Sequence, residues 1–297
     1  MNLDTAAAEA KKKVYFYLVL VTGLSGLFYY PILMAGALES IYVIGLMWCP
    51  AVAALVTRLV LQRNLRGMGW GWGETRYQLG SYFLPVAAGT IVYGSVWLSG
   101  LGGFAPEQLT SRLSGFLGQE SYSLPSALFL AATVGFAPAF LFALGEEIGW
   151  RGLLVPELAK LTSFTRTALV SAAVWAVYHY PALLLAGYHS AAPVWYGFVW
   201  FTVSIFAVSF VFAWLRLKSG SLWTGVILHA SHNLFIQSVF DRLTVDRGVT
   251  QYITTEFGAG LAIVYCLTAF YLWRCRTELP QRARGQPVLD VESVGAS

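Results

Sequence analysis

Charge is what this sequence has least of. Only 11% of its 297 residues are Asp, Glu, Lys or Arg, against roughly 25% in soluble globular domains. That scarcity, with 57% hydrophobic and 15% aromatic residues, excludes an ordinary water-soluble domain and leaves an all-α polytopic membrane protein. The net charge of +4 is modest, and its arginines read as loop residues facing anionic lipid rather than as a nucleic-acid surface. Cysteine is scarce too: Cys49, Cys266 and Cys275 are scattered, form no CxxC, and read as inert packing residues. The N-terminal MNLDTAAAEAKKK leads into an apolar run too long for a signal-peptide core and lacking a convincing cleavage site, so a retained first span is expected.

What is abundant is apolar sequence in runs of spanning length. These fall near 14–36, 40–57, 79–100, 126–149, 167–187, 194–215, 220–240 and 255–273, which predicts about eight transmembrane helices. Basic residues gather in alternate connections: Lys11–Lys13, then Arg63, Arg66 and Arg76, then Arg151, Lys160 and Arg166, then Arg216 and Lys218, then Arg274, Arg276, Arg282 and Arg284. The other connections hold fewer and balanced charges: Glu39; Glu107, Arg112 and Glu120; and Asp241, Arg242, Asp246 and Arg247. This alternation predicts cytoplasmic N- and C-termini; the expected localisation is as an integral protein of a prokaryotic plasma membrane. The Gly- and Trp-rich linker RNLRGMGWGWGETR suits an interfacial segment. The chain divides into a three-span region (1–125), a core (126–240), a last span (241–276) and a disordered polar tail (277–297).

Ionisable groups within spans cost roughly 2.5–3.5 kcal/mol each at the bilayer centre on insertion scales, so they tend to face a protein interior or a wet cavity. Here they are Glu146, Glu147, Arg151, His179, His229 and His232, joined by Asn233. Glu147 and Arg151 are four apart and can neutralise each other on one helix face. Glu146, rotated by about 100°, lacks that partner. Trp175 shares a face with His179, and His229 with Asn233. Taken singly, each group also fits a helix-end ion pair or an interhelical hydrogen bond, and His189 fits a solvated loop. Together, a carboxylate, two histidines and an amide on three helices supply a base and oxyanion donors, which peptide hydrolysis needs. His179 lies about 18 Å and His229 about 14 Å from their cytoplasmic helix starts. Glu146 is shallower unless the fourth helix continues through Arg151 into GLLVPELAKL.

EEIGWR at 146–151, WAVYH at 175–179 and HASHN at 229–233 resemble the EExxxR, [FW]xxxH and HxxxN motifs of the CPBP intramembrane endopeptidases, the CAAX-protease and bacteriocin-processing (Abi) family. The resemblance covers roughly 126–240. It implies a helical bundle with a water-filled cavity open to the cytoplasmic side. It implies that Glu146 and His179 activate water, that His229 and Asn233 hold the oxyanion, and that Glu147 and Arg151 are structural or substrate-orienting. Trp175, where phenylalanine is more usual, shapes the cavity wall. The substrate implied is a peptide or lipid-modified protein, prenylated or not. Zinc stays open: Glu146, His179 and His229 are candidate ligands that would leave a position for water, and His232 is a spare, yet no HExxH is present.

Other intramembrane proteases fit less well. GLSG at Gly23–Gly26 looks like the rhomboid GxSG, but it lies in the first span without a partnering AHxxG, and Ser25 reads as helix packing. The GxGD of presenilin-like enzymes is missing. A transporter would keep buried carboxylates as proton relays, but here the polar residues all lie in one half of the chain. A non-catalytic scaffold or bacteriocin-immunity protein remains the alternative to a peptidase.

Overall fold

The computed structural model describes residues 3–38, 40–117 and 122–280. It is built of helices, α1 (Leu3–Ala35), α2 (Ser40–Gln62), α3 (Thr75–Ser99), α4 (Pro106–Leu117), α5 (Leu124–Thr133), α6 (Phe136–Glu147), α7 (Val155–Leu161), α8 (Phe164–Leu185), α9 (Val194–Ser219), α10 (Trp223–His232) and α11 (Ala259–Arg274). Two π-helical segments, Ile148–Leu154 and Asn233–Phe240, continue α6 and α10. Among the described residues six helices are long and apolar enough to cross a membrane, ending with α9. The two further spans expected are shorter rods: α10 with its π-helical continuation, and α11 of 16 residues. The protein is all-α and polytopic, and six of the eight expected spans have the length and apolarity of a crossing helix among the described residues.

The fourth span runs from Leu124 to Leu161, correcting the expected end at 149. Gly149, Gly152 and Pro156 read as breakers in water, but in lipid a helix is the cheapest way to satisfy backbone groups, so it continues. This continuation removes the depth mismatch of Glu146. The connection expected as a plain loop near 101–125 contains α4 and a strand, β1 (Gly102–Phe104), which pairs antiparallel with β2 (Thr244–Asp246). The last helix starts at Ala259, so residues 255–258 lie outside it. The expected disordered tail lies, from residue 281 onward, outside the described residues.

Small residues set the packing around the fourth span. A Cβ at Gly145 would stand 2.7 Å from the Met47 carbonyl oxygen, and one at Gly149 would stand 2.5 Å from both Pro50 Cβ and Tyr17 Oη. Backbone thus meets backbone between α2 and the EEIGWR turn, the contact that small residues permit in membranes. Ser25 of GLSG donates to Tyr178 Oη at 3.2 Å, a packing bond between α1 and α8. The Gly/Trp linker docks against the α9–α10 connection: Leu222 N–H bonds the Gly69 carbonyl at 2.7 Å, and Trp223 Nε1 bonds the Trp70 carbonyl at 2.7 Å.

Arg216 fastens the π-helical turn. Val155 N–H bonds the Trp150 carbonyl, five residues back. The next carbonyl, Arg151, would need the N–H of residue 156, which is proline and has none. Arg216 Nε supplies the missing donor at 2.8 Å, while its other nitrogens bond the Gly220 and Gly67 carbonyls.

Candidate active site

The motif residues come together around one cavity of about 210 Å³, whose lining includes Glu146, Trp175, His179, His229, His232 and Asn233. Most of the remaining wall is apolar, including Leu46, Val208 and Phe212. Three separate helices contribute the motifs: the α6 end, α8 and the α10 end.

While Arg151 pairs with Glu147, Glu146 is 2% exposed and finds its partners in two tryptophans. Its Oε2 accepts from Trp150 Nε1 at 3.0 Å and Trp175 Nε1 at 2.9 Å. Two indole donors on one oxygen lock the carboxylate, and Oε1 takes no protein donor among the described residues. Trp150 follows Glu146 by four residues, so the same helix-face rule that pairs Glu147 with Arg151 could have found it.

Glu147 is fully buried and joins two motifs. Its Oε1 accepts from Arg151 Nη1 at 2.7 Å and from His229 Nδ1 at 2.9 Å. The pair with Arg151 is as expected; the bond to His229 is new. Arg151 lies between two aromatic faces, with Cζ 3.6 Å from the Phe212 centroid and 4.4 Å from that of Trp175, so cation–π attraction adds to the ion pair. Gly225 makes room for this cluster: a Cβ there would stand 2.7 Å from Glu147 Oε2.

The histidine tautomers follow from their partners. A carbonyl only accepts, so His179, whose Nδ1 lies 2.8 Å from the Trp175 carbonyl, carries its proton on Nδ1 and presents a basic Nε2. An ionised carboxylate likewise fixes the proton of His229 on Nδ1 and aims Nε2 away from Glu147. Trp175 stands edge-on to both rings, with centroids 5.7 Å from His179 and 5.6 Å from His229. Asn233 makes no side-chain hydrogen bond among the described residues and lines the cavity.

His232 lines the same cavity. Its Nδ1 lies 2.8 Å from Tyr265 Oη, and its Nε2 lies 3.8 Å from Glu256 Oε2. Glu256 also accepts from Tyr188 Oη at 2.6 Å and Gln237 Nε2 at 3.1 Å. This second polar group was missed in the sequence, although Glu256 is a carboxylate at the edge of the apolar run 255–273. His189 is an exposed loop residue, as expected.

The metal test turns on donor placement. Among the described residues no three His, Cys, Asp or Glu side chains gather as a metal site requires. Glu146 Oε2 is taken up by two indole donors, which leaves the carboxylate only Oε1 to offer. The arrangement as it stands does not fit zinc held by Glu146, His179 and His229.

Residues 125–235 match the family model described as type II CAAX prenyl endopeptidase Rce1-like. A curated relative, CAAX prenyl protease 2 of Methanococcus maripaludis, is 27% identical over 99 residues, which is 32% of this chain and 36% of that protein. The chain thus spans about a third of the length of that relative. The matched segment contains all three motifs in order, so residues 125–235 are similar to the Rce1-like CAAX prenyl endopeptidases.

Proposed function

We propose that this integral membrane protein is an intramembrane endopeptidase that hydrolyses peptide bonds of membrane-associated peptide or lipid-modified protein substrates. The observation that carries this reading is the Glu146 carboxylate, clamped at Oε2 by two indoles and left open at Oε1 in the cavity that holds His179, His229 and Asn233.

Water accepted by Glu146 Oε1 and His179 Nε2 loses a proton to this pair as its oxygen attacks the scissile carbonyl carbon. Negative charge moves to the carbonyl oxygen, where Asn233 Nδ2–H and protonated His229 Nε2–H receive it. Glu147 supports that imidazolium from the far side. One such donor is worth about 10²–10³ in rate. The proton then passes to the departing amine as the C–N bond breaks, which restores the carboxylate. No metal enters these steps.

The test is mass spectrometry of a peptide library incubated with protein in lipid nanodiscs, wild type beside Glu146→Gln. Products are expected from wild type alone, with 1,10-phenanthroline leaving the yield within about twofold. Full cleavage by Glu146→Gln would refute the assignment of the base. Loss with the chelator, restored by zinc, would refute the metal-free reading. No product from either protein would favour a scaffold or immunity role.

A further inference from the structure

The cavity has two polar ends, and the motifs account for one. The other is built by Tyr188, Gln237, Glu256, His232 and Tyr265, all lining the same space. Its centre is Glu256 Oε2. Oε1 is already engaged by Tyr188 and Gln237. Among the described residues Oε2 faces only His232 Nε2 at 3.8 Å, an ion-pair distance too long for a hydrogen bond. A carboxylate oxygen with unused acceptor capacity inside a largely apolar cavity calls for a donor.

The loop around Glu256 is built to hold that oxygen in place. Thr255 adopts φ +61°, a left-handed conformation that a β-branched residue takes only under strain. The strain is held by Tyr93, whose Oη accepts from Thr255 N–H at 2.9 Å and donates to Asp241 Oδ1 at 2.5 Å. Glu256 also lines a second, more open pocket with Asp241, Asp246 and His189, so its carboxylate sits where the cavity meets the surface.

Charge balance gives the ligand its sign. The ionisable residues lining the main cavity are Glu146, Glu256, three histidines and four tyrosines, with no Lys or Arg. Nothing permanently positive awaits a substrate carboxylate, and Arg151 is screened behind Trp175 and Phe212. A cationic side chain entering beside Glu256 would complete Oε2 and be neutralised in a low-dielectric wall, where such a pair counts for far more than at a surface.

We propose that Glu256, steadied by Tyr188 and Gln237, is a specificity residue that receives a Lys or Arg side chain of the substrate while the scissile bond lies at Glu146. This rests on the endopeptidase reading, and the test separates the two. Dye-labelled decapeptides, each with one position set to Lys, Arg, norleucine, Gln or Glu, are offered to the full-length protein in nanodiscs. Cleavage is followed with wild type and Glu256→Gln. Binding is followed by fluorescence anisotropy with Glu146→Gln and with Glu146→Gln/Glu256→Gln, which needs no turnover.

At one position, Lys and Arg should exceed norleucine by about tenfold or more in kcat/KM and in affinity, and Glu should be the poorest. In the Glu256→Gln backgrounds that ratio should fall to about one, whatever the absolute rate. An unchanged ratio, or no preference in wild type by either readout, would overturn the proposal. Binding preference without any cleavage would uphold the subsite and sink the endopeptidase reading. A melting curve of Glu256→Gln close to wild type is expected, because glutamine still accepts from Tyr188. A collapsed melting curve with an intact Lys preference would assign Glu256 to loop structure and overturn the proposal.

Discussion

Removing Arg151 should destabilise this protein severely, and removing Glu147 with it should restore much of the loss. Arg151 and Glu147 are both fully buried and 2.7 Å apart. Breaking such a pair from one side costs about 3–5 kcal/mol, because the surviving charge is stranded. Arg151→Met keeps an apolar stem between Phe212 and Trp175 and leaves Glu147 with His229 at 2.9 Å, so the lower end, about 3 kcal/mol, is expected. Glu147→Gln strands a guanidinium whose Nε and Nη2 already lack hydrogen-bond partners among the described residues, so the upper end, about 5 kcal/mol, is expected. Glu147→Gln/Arg151→Met removes both charges, and buried pairs replaced by apolar groups are often near neutral. What remains is the weakened anchor of His229, about 1–2 kcal/mol. The double variant should therefore sit at least about 3 kcal/mol above the sum of the singles. The assay is reversible unfolding in mixed micelles, followed by tryptophan fluorescence for all four proteins. Additivity within about 0.5 kcal/mol, the behaviour of independent sites, would refute the reasoning.

Two smaller predictions bear on the same cluster. Trp175→Phe keeps the ring but removes the 2.9 Å bond to Glu146. A hydrogen bond to a charged group is worth about 1.5–3 kcal/mol, so kcat/KM should fall roughly 10- to 100-fold in a folded protein, although phenylalanine is the more usual residue in the family it resembles. An unchanged rate would mean that Trp150 alone holds the carboxylate. Gly225→Ala places a methyl 2.7 Å from Glu147 Oε2 and should lower stability by about 1–3 kcal/mol. Its chemical-shift change should reach His229, and a silent His229 signal would count against the shared carboxylate.

The pairs within each motif were legible in the sequence because helix geometry predicts them, and the family resemblance joined the three motifs into one site. Residues four apart share a face, so Glu147–Arg151, Trp175–His179 and His229–Asn233 could be placed without knowing how the helices meet. The bond from Glu147 to His229 could not, since it joins residues 82 apart and depends on Gly225 letting α10 approach. The end of the fourth span was misjudged because glycine and proline break helices in water, whereas in lipid the backbone has no better alternative. Glu256 was missed because its direction is set by a strained Thr255 and by Tyr93, 162 residues away. The π-helical segments carry no local signature, since tertiary packing rather than propensity widens a turn.

Those wide turns bear on how the chain tolerates insertion and deletion. A π-helical turn holds one residue more than an α-turn. Deleting a residue from a regular helix spins everything downstream by about 100°, but in a π-helical stretch it can be absorbed by tightening to α. Each stretch begins within a motif, at Ile148 after Glu146 and Glu147, and at Asn233, four residues after His229. A one-residue deletion near Leu153 or Ser238 would therefore leave a straighter, well-bonded rod. The same edit would rephase the motif against the packing stripe beyond it. Selection for a smooth helix and selection for this constellation thus pull in opposite directions at these two places, and the surplus residue records which has prevailed.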